Sequence, residues 1–240
     1  MILFVGDIHG RIAALEKVYE DAVRLQVKAI IQVGDFGICW PGKPNGLEAF
    51  FNKSKPGIPF YFCDGNHENH RVLDELHTQQ NSSIVEVAKN CFHVRRSTIL
   101  NIFEKKILFF GGAQSYLGKR DEPFIIDKNW WPQEMPALEE FDAFKEAFSK
   151  SDIVVTHDCP SFLMKDKKYH KLWSKNAVPQ FLQATVSSSN HVPEYWFFGH
   201  HHEHDTWDID HTKYYCCGKH GESWLYTGSN CVKQGLRTVE

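Results

Sequence analysis

Met1-Ile2-Leu3-Phe4-Val5-Gly6-Asp7-Ile8-His9-Gly10 opens the chain, and its reading decides the fold. Five apolar residues suit a buried strand, and Gly6-Asp7 breaks the run with a turn residue and a carboxylate. Next, Ile12, Leu15, Val18, Ala22 and Leu25 recur at spacings of three and four, which describes one face of a helix over 11–26. The pattern then repeats. Ala29–Val33 predicts a second buried strand ending at Gly34-Asp35, and Ile58–Cys63 a third, ending at Asp64-Gly65-Asn66-His67. A short helix is expected around Leu47–Asn52. Strand alternating with helix points to a largely parallel α/β sheet.

Further along, Thr98–Phe103 and Lys106–Phe110 read as a hairpin, Leu138–Phe148 and Val178–Val186 as helices, and Ile153–Thr156 and Tyr195–Phe198 as strands. Those two strands end at His157-Asp158 and at Gly199-His200-His201-His202. Thr206–Asp210, Tyr214–Cys217 and Trp224–Thr227 are expected as antiparallel strands. Residues 112–134 have little apolar periodicity but carry Tyr116, Lys119, Arg120, Trp130 and Trp131, and long loops in compact domains are often functional.

Composition narrows the function classes. The 240 residues suit one domain spanning 1–240, without internal repeat or low-complexity linker, and 42% are hydrophobic. A net charge of -3 speaks against a nucleic-acid partner held mainly by charge. No apolar run approaches membrane-spanning length, so no membrane partner is expected. The start reads as the first strand and not as a leader, so a cytoplasmic location is the default expectation. Seven cysteines, an odd number without a CxxC pair, read as small buried hydrophobes.

Five strand ends thus carry groups able to bind metal: Asp7 and His9; Asp35; Asn66 and His67; His157; His200 and His202. Sites in α/β sheets form outside the carboxyl ends of strands. Mixed carboxylate, imidazole and amide donors suit Mn, Fe or Zn, and this set is too rich for one ion but right for two. A pair of cations polarises a phosphoryl oxygen and activates water to hydroxide at neutral pH. A shared carboxylate holds the two cations together, and a histidine that is not a ligand can protonate the leaving oxygen.

Gly6-Asp7-Ile8-His9-Gly10, Gly34-Asp35, Gly65-Asn66-His67-Glu68, Thr156-His157-Asp158 and Gly199-His200-His201-His202 together resemble the five ordered motifs of the calcineurin-like metallophosphoesterases. The resemblance implies a four-layer α/β/β/α sandwich, with two mixed sheets flanked by helices. It implies two divalent ions, Mn first, with Fe, Zn, Ni or Mg as alternatives. Asp7, His9 and His202 would bind one ion; Asn66, His157 and His200 the other; Asp35 would bridge them; His67 would be the catalytic acid.

The chain departs from the phosphoprotein phosphatases and dinucleoside tetraphosphate hydrolases at two places. Phe36-Gly37-Ile38-Cys39-Trp40 follows Asp35 where those branches continue with Asp and Arg, and Asp64 stands where they carry Arg. Two phosphate-clamping arginines are therefore missing, which disfavours protein phosphatase activity. Arg11, Arg71, Lys119 and Arg120 are the candidate substrate contacts. Trp130 and Trp131 could stack on a base or cover the core, and Lys165–Lys168 reads as a solvated basic run. His201 and His204 read as neighbours of ligands, and Asp158 as a turn residue. The expected activity is hydrolysis of a phosphomonoester or phosphodiester on a small phosphorylated substrate, with a nucleotide as the first guess. A protein serine/threonine phosphatase, a dinucleoside polyphosphate hydrolase and a nuclease are the enzymatic alternatives. A catalytically silent phospho-ligand binding protein is the alternative of another class, disfavoured because every ligand position and His67 are present. Oligomeric state is not legible.

Overall fold

The computed structural model describes residues 1–42, 46–53, 57–115, 123–164 and 174–234. Lys119, Arg120 and Lys165–Lys168 lie outside the described residues.

Strand β1 (Ile2–Val5) shows how the layers arise. Alternate side chains of a strand point to opposite faces. Leu3 and Val5 pack with the apolar face of helix α1 (Ile12–Arg24), where Leu15, Val18 and Ala22 are buried. Ile2 and Phe4 point the other way, into a second cluster that includes Phe109, Val155 and Phe197. Phe4 stacks on Phe197 with ring centroids 3.6 Å apart, which joins two sheets face to face. Burial on both faces explains why the strand is continuously apolar.

Parallel pairing of β1 with β2 (Ala29–Gln32), and of β2 with β3 (Phe60–Phe62), aligns their carboxyl ends. With β4 (Ile84–Ala88), β5 (Cys91–Val94), β12 (Ser223–Tyr226) and β13 (Cys231–Gln234) they form a seven-stranded mixed sheet, ordered β13-β12-β1-β2-β3-β5-β4. Among the described residues the second sheet has six strands in the order β10-β11-β9-β8-β7-β6. They are β6 (Thr98–Ile102), β7 (Lys105–Phe110), β8 (Ile153–Thr156), β9 (Tyr195–Phe198), β10 (Thr206–Ile209) and β11 (Thr212–Cys216). Here β7, β8 and β9 run parallel. Helices α2 (Leu47–Asn52) and α3 (His70–Gln80) accompany α1 on the outer face of the first sheet; Leu47, Phe50, Phe51 and Leu73 enter its cluster. Helices α4 (Leu138–Phe148) and α5 (Ala177–Ser188) cover the second sheet through Phe144, Phe148, Val178 and Leu182. The result is the expected α/β/β/α sandwich with two mixed sheets.

The hairpin of Thr98–Ile102 with Lys105–Phe110 forms as expected, and Leu138–Phe148 is helical over those same bounds. The tail differs from the antiparallel arrangement expected of it. β11 pairs antiparallel with β10 but parallel with β9, and β12 leaves that sheet to pair with β1. The turn Cys217–Glu222 makes the crossing: Asp7 N–H donates to the Gly218 carbonyl, and Gly6 N–H to that of Glu222. Every cysteine is outside a disulfide and five are buried, in agreement with the sequence reading.

Candidate metal centre

The carboxyl ends of β1, β2, β3, β8 and β9 deliver the predicted groups to one place. Glycines make the approach tight enough. A Cβ at Gly65 would overlap Asp35 Oδ1, and one at Gly199 would overlap Asp7 Oδ1. Each strand end therefore needs glycine because the neighbouring carboxylate occupies the space of a side chain.

Asp7 Oδ2, His9 Nε2 and His202 Nε2 converge, with all three atoms within 4.8 Å of one another. His202 Nε2 lies 3.2 Å and His9 Nε2 3.7 Å from the carboxylate oxygen, and the two imidazole nitrogens are 3.0 Å apart. Donors on one cation at bond lengths of about 2.1 Å sit roughly 3.0–3.4 Å apart, so two of the three spacings fit a shared ion and the 3.7 Å pair lies a few tenths of an ångström beyond it. Asp7 is fully buried, and its Oδ2 has no hydrogen-bond partner among the described residues. A buried carboxylate oxygen without a donor calls for a cation.

A second convergence lies alongside. His157 Nδ1 donates to the Val33 carbonyl at 2.8 Å, which leaves Nε2 as the inward atom. That atom faces Asp35 Oδ1 at 3.4 Å and Asn66 Oδ1 at 3.3 Å. Asp7, Asp35 and His157 also offer atoms within 4.8 Å of one another, so Asp35 stands between the two groups. Three acceptors meeting at one point need a positive charge between them, either a proton or a metal. Burial pushes the His157 pKa down, but the charge and hydrogen bond of Asp35, with the Asp7 charge behind, raise it to about 10. Burial also acts to raise the Asp35 pKa, and His157, His67 and His9 outweigh it to hold the carboxyl well below its usual range. The His200 ring is 5.1 Å from that of His157, and its backbone N–H donates to Asp7 Oδ1 at 3.2 Å. Burial drives the His200 pKa down to about 4, so the ring stays neutral and its lone pair is available.

His67 sits at the mouth, half-buried, its ring 5.4 Å from His9 and 5.9 Å from Trp40. Its backbone N–H donates to Asp35 Oδ1 at 2.7 Å, so the position of the ring depends on the same carboxylate. Glu68, fully buried, accepts from the N–H groups of Phe36 at 2.6 Å and Gly37 at 3.1 Å, which ties the loop after Asp35 to the loop after Asn66.

The backbone is strained where these candidate ligands cluster. His9, Asp35, His200 and His202 all adopt left-handed φ, at 51°, 57°, 63° and 55°. Such residues cost about 1–3 kcal/mol each and persist where the surroundings enforce them, commonly at functional sites.

Of the residues singled out in the sequence, Asp7, His9, Asp35, Asn66, His67, His157, His200 and His202 are brought together. Arg11 is exposed and close enough to His220 to depress its pKa, after burial, together with Lys219, His9 and His202. Arg71 is exposed and pairs with Asp127 at 4.0 Å, and no contact among the described residues ties it to the centre. Trp131 is fully buried against Trp40, ring centroids 5.3 Å apart, so it belongs to the core and not to a stacking wall. His201 bonds Asp158 Oδ1 at 3.1 Å, and His204 bonds the Ser223 carbonyl at 3.1 Å, which makes both braces of neighbouring loops. Asp158 also accepts from the Cys159 N–H, the turn contact expected of it.

Several residues were not foreseen. Trp40 lies beside His67, at the end of the segment whose Phe36 and Gly37 N–H groups donate to Glu68. Ser115 bonds Asn66 from the long loop and is itself held by Glu134, and the loop's lack of periodicity was the only signal. Asp64, the departure from the phosphatase pattern, is buried and bound by Arg96 through Nε at 2.9 Å and Nη2 at 2.5 Å. It supports the loop before Asn66 from behind.

Similarity to known proteins agrees with this geometry. Among curated proteins, none matches the chain. The solved structure titled TT1561 of Thermus thermophilus superposes with a TM-score of 0.60 at 17% identity, covering 98% of both chains. A structure titled GAP50, the anchor in the inner membrane complex of Plasmodium, gives 0.51 at 14% identity, covering 97% of this chain and 75% of that one. One titled a putative 5'-nucleotidase from Staphylococcus aureus in complex with alpha-ketoglutarate gives 0.51 at 17% identity, covering 97% and 52%. At these identities the likeness is one of fold. The family model described as calcineurin-like phosphoesterase, Metallophos, matches residues 1–204, and the chain belongs to that family.

Proposed function

We propose that residues 1–240 form a single-domain phosphoesterase that uses two divalent ions to hydrolyse a phosphomonoester or phosphodiester. The observation carrying this reading is the convergence of carboxylate, imidazole and amide groups at five strand ends, with Asp7 Oδ2 buried and lacking a hydrogen-bond donor among the described residues. Asp7, His9 and His202 would hold one ion, Asn66, His157 and His200 the other, and Asp35 both. Mn²⁺ is the first choice, and the oxygen and imidazole donors also accept Fe, Zn, Ni or Mg. Two such ions supply Lewis acidity toward a phosphoryl oxygen and activate water near neutral pH.

The chain's own residues do the rest. His67, held by its N–H to Asp35, delivers a proton to the leaving oxygen. Trp40 gives that side of the site an apolar wall. Arg11 and Lys219 flank His220 beside His9 and His202, where they would draw the anionic substrate in. A small substrate such as a nucleotide fits this reading, and a structural neighbour titled a putative 5'-nucleotidase lends support. A cytoplasmic setting goes with seven cysteines outside any disulfide.

A neighbour titled an anchor shares the fold, so fold alone does not establish catalysis. The full donor set and His67 favour the enzyme over a silent binding protein. The test is to strip the protein with chelator, restore Mn²⁺, and assay p-nitrophenyl phosphate beside bis-p-nitrophenyl phosphate, with Asp35→Asn as control. Mn²⁺-dependent turnover lost in the control supports the proposal, and the ratio of rates separates monoesterase from diesterase. Two bound ions without turnover on either ester would favour the binding protein.

A further inference from the structure

Only the oxygen end of the Asn66 amide can bind a cation, and the two ends have nearly the same shape. Something must decide which end faces His157. Asn66 is 5% exposed, so water does not decide it. Its Nδ2 donates to Ser115 Oγ at 3.2 Å. The Ser115 hydroxyl in turn donates to Glu134 Oε2 at 2.6 Å, and the Ser115 N–H donates to Glu134 Oε1 at 2.7 Å. A hydroxyl has one proton. With that proton committed to the carboxylate, Ser115 Oγ offers Asn66 only lone pairs, and only the NH₂ end can meet them. The oxygen end is thereby turned to its place 3.3 Å from His157 Nε2.

We infer that Ser115 and Glu134 are positioning residues that fix the Asn66 amide with its oxygen toward the second metal position. The inference rests on the two-ion reading above and extends it to residues outside the ligand set. The geometry reinforces it from the backbone side. Arg96 Nη2 donates to the carbonyls of Gln133 at 2.8 Å and Glu134 at 3.3 Å while also binding Asp64, two residues before Asn66. Glu134 therefore reaches Asn66 by two indirect routes, its carboxylate through Ser115 to the Asn66 side chain and its carbonyl through Arg96 to Asp64 on the same loop. Ser115 and Glu134 are 6% and 2% exposed, which keeps competing water away from the relay.

The test titrates metal-free wild type, Ser115→Ala, Ser115→Thr and Glu134→Gln with Mn²⁺ by calorimetry, with thermal unfolding of the metal-free proteins alongside. Wild type should take two ions. Ser115→Ala should bind one ion with unchanged affinity and the other about 10- to 100-fold more weakly, the range seen when outer partners of metal ligands are removed. Ser115→Thr, which keeps the hydroxyl, should restore both sites. A purely structural role would lower the unfolding temperature and leave the two affinities in the wild-type ratio. Two unchanged sites in Ser115→Ala would overturn the relay alone. Fewer than two ions in wild type would overturn the two-ion reading and the relay with it. Should Ser115→Ala not fold, Glu134→Gln carries the same expectation of one weakened site, and unchanged binding there overturns the relay equally.

Discussion

Replacing Arg96 with methionine should destabilise the fold by about 3–5 kcal/mol, the range for stranding one member of a buried ion pair. The side chain of Arg96 is 7% exposed and that of Asp64 4%. Loss of the guanidinium leaves the Asp64 carboxylate with only His93 Nε2 at 3.5 Å and His70 Nδ1 at 3.8 Å as charged-capable neighbours among the described contacts. It also frees Glu140 and the carbonyls of Gln133 and Glu134. The effect depends on pH. Burial acts to raise the Asp64 pKa, and Arg96 with His93 and His70 outweighs it, holding the carboxyl well below its usual range. A carboxylate depressed in the folded state stabilises the fold fully above its unfolded pKa, about 3.9, and loses that contribution as pH falls toward the folded value. The gap between wild type and Arg96→Met should therefore be widest near neutral pH and narrow as pH falls, first because the stranded Asp64 of the variant takes up a proton above its ordinary pKa, and then below about pH 4 because wild type loses its own contribution. Urea unfolding with chelator present, followed by tryptophan fluorescence at both pH values, measures this. Adding Asp64→Asn to Arg96→Met removes the stranded charge and should recover about 2 kcal/mol, a coupling that a double-mutant cycle isolates. A loss under about 1 kcal/mol, or a double variant as unstable as the sum of its parts, would refute the reasoning.

Three further outcomes are expected. Gly65→Ala should keep the circular dichroism of wild type but weaken Mn²⁺ binding at least about tenfold by dialysis, because its Cβ displaces Asp35. His67→Asn should retain two ions and lose about 10²–10⁴-fold in turnover, more on an alkyl ester than on a p-nitrophenyl ester, whose leaving group needs no proton. Trp131→Ala should cost about 3–5 kcal/mol in urea unfolding as a fully buried aromatic, whereas Trp40→Ala, only half-buried beside His67, should act mainly on KM.

The candidate ligand set was legible because strand pattern and chemistry coincide. An apolar run ending in Gly-Asp, Gly-His or Thr-His suggests where a strand stops and what it presents there, so Asp7, Asp35, His157 and His200 could be placed from pattern alone. The helix over Leu138–Phe148 was equally plain from its apolar spacing. Residues 68–97 carry no comparable pattern. Helix α3 begins at an Asn69 cap whose Oδ1 accepts from the Val72 N–H, yet it buries few apolar side chains, and three of its eleven residues are His70, Leu73 and His77 facing inward. Periodicity in hydrophobicity cannot find a helix whose buried face is partly imidazole. The supports of the site were hidden for a different reason. Asp64 and Arg96 are 32 residues apart and Ser115 and Glu134 are 19 apart, and polar partners brought together by loops leave no local signature. The parallel pairing of β11 with β9 was missed because alternation marks a strand but not its neighbour.

The central claim is that two ions sit side by side at these strand ends, and anomalous diffraction from crystals soaked in Mn²⁺ tests it most directly. The account predicts two peaks, one among Asp7, His9 and His202 and one among Asn66, His157 and His200, with Asp35 between them. No peak, or a single peak away from Asp35, would contradict it.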